Sequence, residues 1–103
     1  MATIKITTLK CIRKQDVSGD DEPKIYIGGV FAWDGKISKG ESLHPNVTRG
    51  FSDNVLVELR EVNGKNEKPL GKWTVSDTTT PVGNAPLTAT SSGFHYEVYF
   101  DVY

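Results

Sequence analysis

Acidic side chains are concentrated in one short segment of this chain. Four of its thirteen acidic residues lie within seven consecutive positions: Asp16, Asp20, Asp21 and Glu22. Clustered carboxylates repel one another unless a cation neutralises them, and Ca²⁺ binds about six to eight oxygen ligands of this kind. Gly19 permits a turn tight enough to bring the carboxylates together. The segment 16–23 therefore predicts a calcium-binding loop, with a solvated loop whose acids point apart as the alternative.

The sequence shows no recognisable catalytic motif elsewhere. It lacks the Gly-x-Ser-x-Gly of serine hydrolases and the glycine-rich loops that bind phosphate. His44 and His95 lack the spacing of zinc ligands, and we expect Cys11 to be a small core residue rather than a nucleophile. Glu58 and Glu97 are the best candidates for a catalytic carboxylate pair, but both are expected on solvated strand faces. We therefore expect a protein that is not an enzyme.

The elements that must position the acidic loop are β-strands. Ten glycines and five prolines interrupt short runs rich in valine, isoleucine, threonine and aromatic residues, which is typical of strands and turns. The last strand is the clearest, because apolar residues occupy every second position: Phe94, Tyr96, Val98, Phe100 and Val102. A second strand spans residues 54–61. In the N-terminal strand the apolar phase changes, which predicts a β-bulge near Thr7 and Thr8.

The rest of the chain completes an all-β pattern. Ile25 and Ile27 mark a strand closed by Gly28-Gly29, and residues 30–33 form the next strand. We predict a long connection over residues 34–53 with at most one short strand, a polar turn over 61–67, a strand over 70–75 and a weak edge strand over 87–89. The total of seven or eight strands predicts an antiparallel β-sandwich, formed as a single domain by residues 1–103.

Composition limits the classes of partner and compartment. The net charge is −1, which argues against binding to nucleic acid and against simple electrostatic attraction to anionic membranes. The single cysteine rules out an internal disulfide. The N-terminus has no apolar signal-peptide core, and no stretch approaches the length of a membrane span. We expect a cytoplasmic protein, or one exported without a conventional signal peptide.

Two segments of the sequence resemble the C2 family of calcium- and lipid-binding β-sandwich domains. The pattern Asp-x-x-Gly-x-Asp-Glu-Pro (16–23) followed by Ile25-Tyr26-Ile27 resembles the first calcium loop of these domains. The strand 55–63, followed by a short loop and then Leu70-Gly71, is similar to the region of the second loop. The resemblance covers residues 3 to 103. It implies a C2-like β-sandwich in which Glu61 or Asn63 adds oxygen ligands to those of the acidic loop.

The chain departs from the C2 pattern at three places. Glu61 and Asn63 stand where several aspartates are usual, Lys68 stands where an acid would help to hold the ion, and Lys24-Ile25 is inserted after Pro23. The resemblance therefore implies one Ca²⁺ ion or none. We expect a non-enzymatic binding module that docks a protein partner, with a membrane lipid as the weaker candidate.

The alternative function is a metal-independent protein-interaction domain, such as a protease inhibitor, a lectin or an assembly subunit. Tyr99 and Tyr103, together with His95, lie on the face of the last strand opposite the core. They could form an exposed stripe that recognises protein or sugar, or they could be covered by the 34–53 connection. We expect Trp33 and Trp73 to pack in the core.

Overall fold

The structure, a computed structural model, describes residues 1–13, 21–63, 65–78, 86–91 and 93–103, apart from the side chain of Asn63. These residues contain strands and no helix, and so no helix among them could cross a membrane. The strands are β1 (Ala2–Arg13), β2 (Pro23–Ile27), β3 (Val30–Asp34), β4 (Ser42–Leu43), β5 (Val47–Phe51), β6 (Asn54–Asn63), β7 (Asn66–Ser76), β8 (Leu87–Thr90) and β9 (His95–Val102).

The strands form two antiparallel sheets, which confirms the all-β sandwich. One sheet has the order β4-β1-β9-β8, with β5 also paired to β1, and the other has the order β3-β2-β6-β7. The strand count is nine among the described residues, rather than seven or eight. The difference arises in the 34–53 segment, where β4 and β5 pair with successive parts of β1.

Burial in β1 and β9 follows the apolar pattern of the sequence. Ile4, Ile6, Leu9 and Cys11 are all completely buried, although Ile6 and Leu9 are separated by three positions. The register against β9 shifts between Ile6 and Thr8. This shift confirms the predicted β-bulge, which returns Leu9 and Cys11 to the core side of the sheet.

The hairpin β2–β3 has a two-residue turn and a bulge. Gly28 and Gly29 have φ values of 65° and 80°, which are the positive values that a tight hairpin turn of this kind requires. Ile25 pairs with Trp33, and Tyr26 pairs with Phe31. Two residues of β2 therefore oppose three of β3, and the bulge determines which side chains of β3 face outwards.

The turn predicted over residues 61–67 is present but shorter than predicted, because strands occupy most of this range. β6 continues to Asn63 and β7 begins at Asn66, and these two residues pair with each other. The strands therefore extend well into the polar stretch. Backbone hydrogen bonds between strands do not require apolar side chains, and Glu67 and Lys68 are exposed on β7. The polar residues Glu67 and Lys68 are therefore exposed strand residues rather than turn residues.

Both tryptophans are half-buried and pack against the core. Each stacks on a glycine two positions away in the chain. A Cβ atom at Gly71 would lie 2.5 Å from ring atoms of Trp73, and one at Gly35 would lie 2.7 Å from Trp33. The missing side chains of these glycines therefore create the space that the two indole rings occupy.

Candidate functional site

Three of the six predicted calcium ligands have described side chains. Asp16 and Asp20 lie outside the described residues, as does the side chain of Asn63. The remaining three, Asp21, Glu22 and Glu61, lie at the same end of the sandwich. Within the part of the chain that the structure describes, no group of three or more histidine, cysteine, aspartate or glutamate residues is arranged to hold a metal ion.

Asp21 is part of the core. It is completely buried, and its backbone N–H and C=O each form a 3.0 Å hydrogen bond with Ile37. Its carboxylate accepts a hydrogen bond from the hydroxyl of Tyr96, which is also completely buried. Burial, followed by this hydrogen bond and the neighbouring Cys11, holds the pKa of Tyr96 far above its ordinary value. Asp21 therefore fastens the end of the acidic segment to β9.

Glu22 and Glu61 differ in exposure although their backbones are neighbours. The carbonyl of Glu22 accepts a 2.9 Å hydrogen bond from Val62, and Glu61 pairs in register with Pro23. The side chain of Glu22 is exposed, whereas Glu61 is only 2% exposed and already has an interaction partner. Of the three described carboxylates, Glu22 is the one that is exposed to solvent.

A cleft of about 260 Å³ lies beside Glu22, where β2, β3 and β6 come together. Its lining consists of Glu22, Lys24, Asp34, Gly35, Lys36 and Val62. The bulged register pairs Lys24 with Asp34, and a 3.2 Å hydrogen bond from Gly35 to the carbonyl of Pro23 fixes the adjoining backbone. Sequence reasoning missed Asp34 as a site residue. Regular pairing from the glycine turn would place Trp33 opposite Lys24, and nothing in the sequence indicated the bulge.

The outer face of the four-stranded sheet carries a second group of side chains, which we call the aromatic–charge cluster: Lys24, Tyr26, Phe31, Arg60 and Glu67. The rings of Tyr26 and Phe31 lie 6.2 Å apart, centroid to centroid, and are tilted by 55°. The guanidinium carbon of Arg60 lies 4.6 Å from the centroid of Tyr26, and Lys24 Nζ lies 5.7 Å from that of Phe31. Both cations are therefore within range of attraction to an aromatic ring.

Glu67 links the polar members of the aromatic–charge cluster. It accepts a 2.9 Å hydrogen bond from the Tyr26 hydroxyl and lies 3.7 Å from Lys24 Nζ and 3.5 Å from Arg60 Nη1. Arg60 also contacts Glu58 at 3.0 Å. The hydrogen bond from Tyr26, followed by the two nearby cations, lowers the pKa of Glu67, and the same bond raises the pKa of Tyr26. Together with Glu58, Glu67 balances the two cations of the cluster and holds them in position.

Two neighbouring apolar residues, one in the cluster and one next to it, are exposed to solvent. Phe31 is 43% exposed and Val30, its neighbour in the hairpin, is 59% exposed. Arg49 of β5 reaches across from the other sheet, and its Nη2 donates to the carbonyl of Phe31 at 3.1 Å. This bond fixes the backbone of the edge strand β3 at the position from which the Phe31 ring projects. This hydrogen bond therefore holds in place the backbone that carries the exposed ring of Phe31.

The outer face of the five-stranded sheet contains the predicted aromatic stripe. Tyr99 is half-buried, and its hydroxyl donates a 2.9 Å hydrogen bond to Glu97, which raises the pKa of Tyr99. Tyr103 is 67% exposed and His95 is half-buried. Nδ1 of His44 lies 3.4 Å from the hydroxyl oxygen of Thr8, which belongs to β1 of the same sheet. Only Tyr103 is exposed to any large extent, and it lies at the end of the strand.

No protein-family model matches the chain, and no curated protein resembles it in sequence.

Proposed function

We propose that the protein is a non-enzymatic binding module that docks a protein partner against the outer face of its four-stranded sheet. The observation that carries this proposal is the 43% exposure of Phe31 among the paired polar members of the aromatic–charge cluster. Tyrosine and arginine are enriched among residues that dominate binding energy at protein interfaces. An apolar contact surrounded by polar groups is the usual anatomy of such an interface.

The geometry favours a protein over a sugar. A sugar ring stacks flat on an aromatic face, but Arg60 and Lys24 already lie over the rings of Tyr26 and Phe31. The 55° tilt between the rings also prevents them from forming one flat platform. A protein side chain can instead pack against the exposed part of Phe31. Such a contact needs neither a flat platform nor uncovered ring faces.

Charge also favours a protein over an anionic membrane or nucleic acid. Lys24 and Arg60 contact Glu67, Arg60 also contacts Glu58, and Lys72, opposite Glu58 in register, adds one further exposed cation to this face. Binding to phosphate-rich surfaces gains most of its affinity from cations that are not already neutralised. A protein partner with an apolar projection and a mixed-charge rim is the better match.

The test is site-specific photo-cross-linking followed by affinity measurement. A benzoylphenylalanine at position 31 should capture a partner in the presence of a chelator, whereas the same group at position 103, which is also exposed, should not. With the purified partner, Phe31→Ser should weaken binding by about fivefold or more, because truncating an interface anchor typically costs over about 1 kcal/mol. Tyr103→Ser is the matched control. Equal cross-linking at both positions, or equal loss in both variants, would contradict the proposal.

A second candidate is calcium binding at the acidic end, in a C2-like arrangement. It is favoured by the cleft, which Glu22 and Asp34 both line, and by the acidic composition of residues 16–22 in the sequence. Lys36 lines the same cleft and opposes a bound cation, whereas the ammonium group of Lys24, which also lines the cleft, contacts Glu67. One weakly held ion is therefore proposed, rather than several.

Thermal melting with calcium and with chelator tests this second candidate. A ligand that binds only the folded protein stabilises it by about 2.7 kcal/mol at one hundred times its dissociation constant. Millimolar Ca²⁺ should therefore raise the melting temperature, and Glu22→Gln should reduce the increase. Glu22 is a better probe than Asp21, because the exposed side chain is not part of the core. A melting temperature that is the same in calcium and in chelator would rule out this candidate.

A further inference from the structure

We propose that the cleft beside β2 and β3 is the pocket into which the partner inserts one basic side chain, with arginine as the preferred residue. The inference rests on the proposed function, since it names the chemistry of one contact in the docked complex. The cleft adjoins the docking face through Lys24, which lines the cleft and also belongs to the aromatic–charge cluster. A partner placed on Phe31 would therefore reach the cleft without crossing to the other sheet.

The charges of the cleft are not equally available. The ammonium group of Lys24 lies 3.7 Å from Glu67 and over the ring of Phe31, so its charge is engaged on the docking face. Glu22 and Asp34 are exposed, and neither has an ion pair or a side-chain hydrogen bond among the described residues. Among the described residues that line the cleft, Lys36 is the one cation that remains to offset these two carboxylates. The described lining of the cleft therefore has more negative than positive charge available to a cationic ligand.

The shape of the cleft suits a long side chain with a charged end. Val62 supplies an apolar surface, and Gly35 contributes no side chain. The methylene groups of an arginine can lie along this surface while its guanidinium reaches the carboxylates. A planar guanidinium has paired donors that match carboxylate oxygens, which an ammonium lacks. The volume, about 260 Å³, is sufficient for one residue and too small for a folded element.

An NMR titration with a short peptide tests the pocket without requiring the natural partner. The full chain is labelled with ¹⁵N, and the probe is acetyl-Gly-Arg-Gly-amide. The amides of Gly35 and Val62 are suitable reporters, because both line the cleft and both are held by backbone hydrogen bonds to β2 or its start. We expect saturable shifts at these amides with a dissociation constant on the order of millimolar. Raising the salt concentration to about 0.5 M should weaken binding, because screening reduces exposed electrostatic attraction.

Matched peptides and variants determine the specificity of the response. The corresponding citrulline peptide keeps the shape of arginine but not its charge, and the glutamate peptide reverses the charge. Both should bind at least about fivefold more weakly. The double variant Glu22→Gln/Asp34→Asn should lose at least about fivefold in affinity for the arginine peptide. Asp53→Asn/Asp101→Asn, which makes the same change in net charge elsewhere, should bind normally.

Several results would overturn the pocket assignment. These are an absence of saturable shifts up to tens of millimolar, equal binding of the citrulline or glutamate peptide, and unchanged binding by the Glu22→Gln/Asp34→Asn variant. Shifts at Gly35 and Val62 that appear with CaCl₂ but not with the arginine peptide would also overturn it, in favour of a metal site. Failure here would leave the Phe31-dependent cross-linking result intact, so the pocket and the docking face are tested separately.

Discussion

Tyr96 of β9 donates a hydrogen bond from its hydroxyl to the carboxylate of Asp21, a residue 75 positions earlier in the chain. Both side chains are completely buried. The bond joins the end of the acidic segment to the central pair of strands in the five-stranded sheet, since β9 pairs with both β1 and β8. Two adjacent acidic residues therefore have different roles: Asp21 is buried and structural, whereas Glu22 is exposed to solvent.

Replacing Tyr96 by phenylalanine should destabilise the fold. The change removes the hydrogen bond that the Tyr96 hydroxyl donates to the buried carboxylate of Asp21, and a hydrogen bond to a charged group contributes about 1.5–3 kcal/mol. Tyr99→Phe is the matched control, because its hydroxyl bonds to Glu97 on an outer face, and we expect it to change stability by less than about 0.5 kcal/mol. Urea unfolding of the two variants measures the difference. Equal losses in both would show that the buried bond adds nothing.

Tyr96 should also make the protein sensitive to alkaline pH. Its pKa in the folded state is raised by burial above the ordinary value of 10.0. Above about pH 10 the unfolded chain therefore loses a proton that the folded protein keeps. The free energy of unfolding should fall by up to about 1.4 kcal/mol per pH unit for this one group, and the contribution is fully present below pH 10.

The control for this pH dependence is again Tyr96→Phe. Stability is measured by urea unfolding between pH 8 and 11.5 in the original protein and in the variant. The difference in stability between the two should shrink as pH rises above about 10, because only the original protein carries the titrating hydroxyl. A difference that stays constant across this range would contradict a raised pKa for Tyr96.

Gly71→Ala should destabilise the protein more than Gly50→Ala does. The added Cβ at Gly71 would lie 2.5 Å from the ring of Trp73 and 3.1 Å from Ala89, so the indole ring would have to move. Overpacking of this kind costs about 1–3 kcal/mol. At Gly50 the nearest atom is the Met1 sulfur at 3.2 Å, at the end of a flexible, exposed side chain. Melting temperatures should rank the two variants, and the opposite order would show that Trp73 does not depend on the glycine.

Glu67→Gln should lower the pKa of Tyr26 towards its ordinary value. The hydrogen bond to the Glu67 carboxylate is the largest cause of the raised pKa, and a neutral amide does not oppose ionisation of the phenol in the same way. NMR titration of the Tyr26 ring signals measures the change. The raised pKa of Tyr99 depends on Glu97 instead, so it should not respond to this substitution. A parallel shift of both tyrosines would indicate a general change in the fold.

Side-chain alternation identified the part of the core that β1 and β9 contribute, but not Ile37 and Phe51 in the predicted 34–53 connection. The apolar residues of β9 and the phase change in β1 identified the buried face and the bulge, because a strand buries every second residue and one inserted residue reverses that order. The Gly28-Gly29 turn was equally local, since both residues adopt positive φ. These features depend on neighbours along the chain, and so they could be predicted from the sequence.

Features that depend on pairing between distant residues could not be predicted. Only the tertiary structure placed Asp21 against Tyr96, and Asp34 opposite Lys24, since both depend on the register of strands that are remote in sequence or shifted by a bulge. The acidic residues were visible in the sequence from the beginning, but their orientation was not. Asp21 is buried and bonded to Tyr96, whereas its neighbour Glu22 is exposed and lines the cleft. Packing alone decides which of the two carboxylates faces water.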